Sequence, residues 1–63
     1  MAAGREVIFE FQRIGGAVKV TAVDAATGIE ASIVGDPAAG ETALKRVARQ
    51  KLDYVIARQG RKP

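Results

Sequence analysis

From Arg5 to Ile14 the chain alternates, with Val7, Phe9 and Phe11 on one side and Glu10 and Gln12 on the other. Period two with β-favouring residues predicts a strand. Gly15-Gly16 follows. Both glycines can take φ > 0, which suits a two-residue primed hairpin turn. A second alternating run covers Ala17–Asp24. A two-residue loop sets Ile14 opposite Ala17, Phe11 opposite Val20, Phe9 opposite Ala22 and Arg13 opposite Val18. The apolar faces of the two strands then coincide, a match that a one-residue slip destroys.

The next turn signal is "DAATGI". Gly28 suits a left-handed turn position, and the Asp24 carboxylate can accept from the turn backbone. With residues 25–28 as the loop, Asp24 faces Ile29, Ala22 faces Ala31 and Val20 faces Ile33, and the apolar faces agree again. Phe9, Ala22 and Ala31 fall in one row. Two small residues beside one aromatic ring leave a groove wide enough for a helix.

The pattern then changes period. "VGDPAAGE" offers Asp36 as an N-cap and Pro37 as a first helical residue. Gly40 weakens continuation by about 1 kcal/mol relative to Ala. A short turn at Asp36–Ala39 is therefore expected, then a helix from Glu41 to Arg58. Leu44, Val47, Ala48, Leu52, Val55 and Ile56 form its apolar stripe. Lys45, Arg46, Arg49, Gln50 and Asp53 point away, with Arg49 and Asp53 at an i,i+4 spacing. Glu41 and Arg58 complement the helix dipole, and Gly60 is a plausible stop.

The elements add up to one α+β domain over residues 5–58. A three-stranded antiparallel meander is followed by one C-terminal helix packed on one face, the smallest cover that completes a two-layer core. Residues 1–4 and 59–63 read as frayed ends.

The opposite sheet face is less polar than expected. Glu10, Thr21 and Ser32 form a polar row, but Ile8, Ile14, Val23 and Val34 share that side. A sheet with one wet face normally alternates more cleanly. Either these are ordinary scattered surface aliphatics, or a second copy covers them. In the second case Ile8, Val23 and Val34 are the candidate self-association face.

Size bears on that choice. A 63-residue, 6.6 kDa chain folds to about 3,900 Å² from about 9,600 Å² unfolded. If a little over half of the loss is apolar, burial contributes about 80 kcal/mol at ~25 cal/mol/Å². Ordering some 50 residues costs about 75 kcal/mol at ~1.5 kcal/mol each. A lone monomer is marginal. The chain has no Cys and no His, so a disulfide and a Cys/His zinc site are unavailable, and self-association is the remaining common route to stability.

Net charge is +3, unevenly placed. Residues 1–40 carry net −2 and residues 41–63 net +5. The basic helix permits an anionic partner. Lys45, Arg46 and Arg49, together with Lys51 and with Arg58, Arg61 and Lys62 beyond, form a candidate anion or nucleic-acid face able to neutralise phosphates. RNA-binding sheets, however, use exposed aromatics for stacking, whereas Phe9 and Phe11 read as core and Tyr54 as the edge of the helix stripe.

Catalytic chemistry finds little footing. Without His or Cys the commonest general base and the thiol nucleophile are missing. Ser32 is the single serine, mid-strand and without an activating base nearby in sequence. Glu10 and Glu30 share a face, but paired carboxylates need a pocket to work as acid and base, and solvated strand glutamates are the commoner case. "IVGDP" lacks the Lys and Ser/Thr spacing of a phosphate-binding loop. No catalytic residue, cofactor or metal ligand is assigned.

The segments "GREVIFEFQRIG", "VKVTAVDAATGIEASIVGD" and "LKRVARQKLDYVI" together resemble a family of short, uncharacterised alphaproteobacterial proteins, a domain of unknown function. The resemblance runs from about Gly4 to Ile56. It implies a bacterial, cytoplasmic setting and carries no site residue. The absence of Cys fits that compartment. "MAAGREVIFEF" has no continuous apolar stretch ahead of its charges, so no secretory leader is expected, and no run reaches the ~20 apolar residues of a membrane span.

The functional expectation is a non-enzymatic, cytosolic interaction module that associates with itself through the sheet, by the Ile8/Val23/Val34 face or by an open strand edge. The alternative is weak, sequence-nonspecific nucleic-acid binding through the basic helix. A separate protein partner is also open, and no membrane partner is expected.

Overall fold

The computed structural model describes residues 6–59, and they fold as β1 (Val7–Ile14), β2 (Ala17–Asp24), β3 (Glu30–Gly35), a 3₁₀ turn (Pro37–Ala39) and α1 (Glu41–Gln59). The strands form one antiparallel sheet in chain order. This is the βββα meander that the alternating pattern calls for. The strand start expected at Arg5, the fraying expected for 1–4 and for most of 59–63, and Gly60 as the expected helix stop lie outside the described residues. Glu6 precedes β1, and Gln59 belongs to the helix rather than to a frayed end.

Both registers follow the side-chain pattern. Phe11 pairs with Val20, Phe9 with Ala22 and Ile14 with Ala17, while Ala22 pairs with Ala31 and Val20 with Ile33. In the first turn only Gly15 takes positive φ, at 59°. That is the signature of a type II′ turn rather than the doubly left-handed I′ form. In the second, the Gly28 amide donates to the Asp24 carbonyl (2.8 Å) and the Asp24 amide to the Ile29 carbonyl (2.8 Å). The Thr27 hydroxyl donates to the Asp24 carboxylate at 2.7 Å. Asp24 thus holds its turn through its own backbone groups and through the Thr27 hydroxyl on its carboxylate, and it is buried while doing so.

The helix begins where the capping residues place it. Asp36 accepts from the Ala38 amide at 2.9 Å, Pro37 opens the 3₁₀ turn, and after Gly40 the chain enters α1 with Glu41 in its first turn. The core is small: Val18, Val20, Ala22 and Ala31 from the sheet, Leu44, Ala48 and Leu52 from the helix. Val7, Phe9, Ile29, Ile33, Val55 and Ile56 pack around it, half buried.

Two expectations about that core are corrected. The helix lies over β2 and β3 and leaves β1 at the margin, so Phe11 is 39% exposed rather than core. Val47 is 48% exposed. At ~100° per residue it sits about 100° from the centre of the stripe formed by Leu44, Ala48 and Leu52, on the flank beyond β3.

Gly35 helps to set the seat of the helix. A Cβ there would stand 2.5 Å from Leu44 Cδ2, so the buried Leu44 side chain would have to shift to admit one. Gly35→Ala should lower unfolding stability by about 1–3 kcal/mol, the range for forcing an extra carbon into a packed core. A urea titration followed by circular dichroism measures it. Unchanged or raised stability would mean that Leu44 is free to move aside.

Candidate interaction site

The meander leaves two edge strands, and they are finished differently. The two-residue hairpin makes Ile14 and Ala17 a hydrogen-bonded pair, and the Ala25 amide donates to the Glu6 carbonyl at 3.0 Å in the same phase. Even-numbered residues of β1 therefore turn their backbone groups toward β2. Val7, Phe9, Phe11 and Arg13 turn theirs outward. On β3 the bond from the Asp24 amide to the Ile29 carbonyl sets the opposite phase, so Glu30, Ser32 and Val34 face out.

On the β3 side the helix closes part of the edge. Lys51 reaches down from α1 and donates to the Ser32 carbonyl at 2.8 Å. A lysine over an outer strand is a known guard against further pairing. On the β1 side the helix reaches only the aromatic row. The Lys45 ammonium stands 5.3 Å from the centroid of Phe9, a cation–π contact. It covers a ring, and among the described residues α1 makes no hydrogen bond to the outward backbone groups of β1.

β1 is also the more adhesive strand. It is eight residues long, contains no Pro or Lys, and carries apolar side chains on both faces, beside Glu10 and Gln12 on one and Arg13 on the other. Ile8, Phe11 and Ile14 are all exposed. On the helix side Phe11, Arg13 and Val18 form one wall of a shallow groove of about 290 Å³, with Pro37, Glu41 and Leu44 as the other. An extended strand laid along β1 would place alternate side chains at the mouth of this groove, the geometry of β-augmentation.

The face expected from the sequence divides. Ile8 and Val23 are cross-strand partners. Val34 pairs with Lys19, four residues along β2 from Val23, which is about 13 Å. Between them runs the row of Glu10, Thr21 and Ser32, in which the Thr21 and Ser32 hydroxyls share a hydrogen bond of 2.8 Å. Ile8 and Val23 thus stand together, with Val34 apart at 66% exposure.

Of the cationic trio, Lys45 and Arg49 lie on the flank of α1 toward β1 while Arg46, about 160° from the centre of the buried stripe, lies on the outer face, and two of the three are engaged. Lys45 stands over Phe9. Arg49 Nε donates to Asp53 at 3.5 Å, an exposed pair worth a few tenths of a kcal/mol. Arg46 is exposed. Lys51 serves β3, and Arg58 stacks over Tyr54 while donating to its hydroxyl at 3.1 Å. Glu10 and Glu30 lie on β1 and β3 in different rows, two strand spacings or about 10 Å apart laterally, and form no carboxylate pair.

Among the described residues no group of His, Cys, Asp or Glu is gathered for a metal, and no helix is long and apolar enough to cross a membrane. No curated protein and no solved structure matches the chain significantly. A family model described as a domain of unknown function, DUF6898, matches residues 4–59. The chain belongs to that family.

Lys51→Met keeps the aliphatic stem and uncovers the Ser32 carbonyl. With both edges then open, sedimentation velocity at tens of micromolar should show species larger than those of the unaltered chain. An unchanged distribution would mean that Lys51 does not guard β3.

Proposed function

We propose that this DUF6898 domain is a small, non-enzymatic interaction module of the bacterial cytoplasm that associates with itself along the open edge of β1. The observation that carries the reading is the contrast between the edges: Lys51 occupies a β3 carbonyl, while the outward groups of β1 lie between exposed Ile8, Phe11 and Ile14. Unsatisfied backbone groups flanked by apolar side chains favour pairing with another strand. The small core adds to the case, because association stabilises a marginal fold by mass action.

The edge accounts for more than the far face does. A dimer built on Ile8, Val23 and Val34 has to cover the intervening polar row of Glu10, Thr21 and Ser32, and it leaves Phe11 bare on the other side. Edge pairing covers Ile8, Ile14 and Phe11 together. Nucleic-acid binding through Lys45, Arg46 and Arg49 draws less support, since Lys45 and Arg49 already have partners within the fold.

Light scattering separates these readings. The unaltered chain should run as an associated species of similar mass at low and moderate salt, because apolar contacts and backbone hydrogen bonds are only weakly screened. Phe11→Lys should raise the dissociation constant on the order of tenfold or more, as loss of an aromatic anchor does, with an unchanged circular dichroism spectrum. Val34→Lys should change nothing. A loss of association with Val34→Lys alone would move the interface to the far face. Nucleic acid co-eluting at low salt, and lost at higher salt or with Arg46→Glu and Arg49→Glu combined, would favour the basic helix.

A further inference from the structure

Resting on the self-association reading, we infer that β1 pairs with β1 of a second copy, antiparallel, about a two-fold axis through Phe11, so that two meanders join into one six-stranded sheet. Backbone phase restricts the choices. Only odd-numbered residues of β1 face outward, so odd must meet odd, and symmetric registers centre on Phe9, Glu10, Phe11 or Gln12. The side chains then discriminate among them.

Centring on Glu10 puts Glu10 against its own copy, a like-charge pair directly opposite, which is destabilising. Centring on Phe9 sets Ile8 against Glu10, and centring on Gln12 sets Glu10 against Ile14. Each mates a charge with an aliphatic chain. Centring on Phe11 sets Ile8 against Ile14 twice, Glu10 against Gln12 twice, Phe11 against Phe11, and Phe9 against Arg13 twice. Each exposed apolar side chain of β1 meets an apolar one. Each glutamate meets an amide able to donate to it, and each arginine meets an aromatic ring.

The two-fold has a second effect, at the groove. Phe9 of the second copy comes beside Arg13 and Phe11 of that copy beside Phe11, so aromatic rings crowd the mouth of the groove between Arg13 and Glu41. The two helices stay on the same side of the joined sheet, each over its own β2 and β3. The outer edges of the six-stranded sheet are the two β3 strands, each carrying its Lys51 contact.

The cysteine-free chain makes the register directly readable, since any introduced thiol is the only one. In this pairing the two Cα atoms at position 11 are about 5.5 Å apart and those of positions 8 and 14 about 4.5 Å, within disulfide reach. Two copies of position 8 stand about 20 Å apart. Under a glutathione redox buffer, Phe11→Cys should form a covalent dimer on a non-reducing gel. A mixture of Ile8→Cys and Ile14→Cys chains should form the mixed dimer on the order of tenfold faster than either chain alone, reflecting an effective concentration set by the interface. The mixture keeps Phe11, so a weakened Phe11→Cys dimer does not decide the matter. Fastest linkage with Glu10→Cys or Gln12→Cys would overturn the register. So would random linkage at all positions in a protein that light scattering shows to be associated, and in both cases self-association itself would stand. A monomeric mass at all concentrations for the unaltered chain would remove the register and the self-association reading together.

Discussion

The whole arrangement depends on how closely one helix can approach two of three strands. Ala22, Ala31 and Gly35 form a low floor across β2 and β3, and Ala48 offers an equally low surface on the helix. Small against small lets the backbones come near, and Leu44 and Leu52 then fill the space to either side. Packing density in a core leaves little slack, so a helix seated over that floor has no equivalent position over β1, where Phe9 and Phe11 stand tall. The aromatic residues, which bring the most apolar area, end up beside the helix rather than beneath it.

This offset makes the two edges unequal. The flank of α1 near β3 carries Lys51, long enough to reach a strand carbonyl. The flank near β1 carries Lys45, which is spent on the Phe9 ring. One cation therefore closes a backbone edge and the other covers an aromatic surface. The basic character of the C-terminal half, which on composition alone suggests an anionic partner, is partly absorbed by such contacts within the fold.

Much of this is legible in the sequence. Alternation on both sides of Gly15-Gly16 admits one register in which the apolar faces meet, and the same holds across residues 25–28. Asp36-Pro37 and Gly40 mark the step from strand to helix by capping chemistry. What alternation does not encode is the lateral position of the helix, because it assigns a face and says nothing about which strands are covered. Hence Phe11 reads as core and is exposed, and Val47 reads as stripe and lies outside it. The Lys51–Ser32 contact was invisible for a related reason. It joins residues nineteen positions apart, and nothing local in either segment marks them as partners. Ile8, Val23 and Val34 share a face by parity, as read, but the polar row dividing them becomes an obstacle only when the sheet is laid out in two dimensions.

The simple order of the sheet also bears on the time course of folding. Each strand pairs with its chain neighbour across a loop of two or four residues, so the ends that must meet start close together. Loop-closure entropy is small for such contacts, and chains dominated by them cross their folding barrier quickly. Hairpin formation takes microseconds, whereas docking α1 onto Ala22 and Ala31 joins segments far more distant in sequence. The α1 contacts therefore carry the larger loop-closure cost, and the short connection from Asp36 to Gly40 limits it by holding the helix within reach of the surface it must cover.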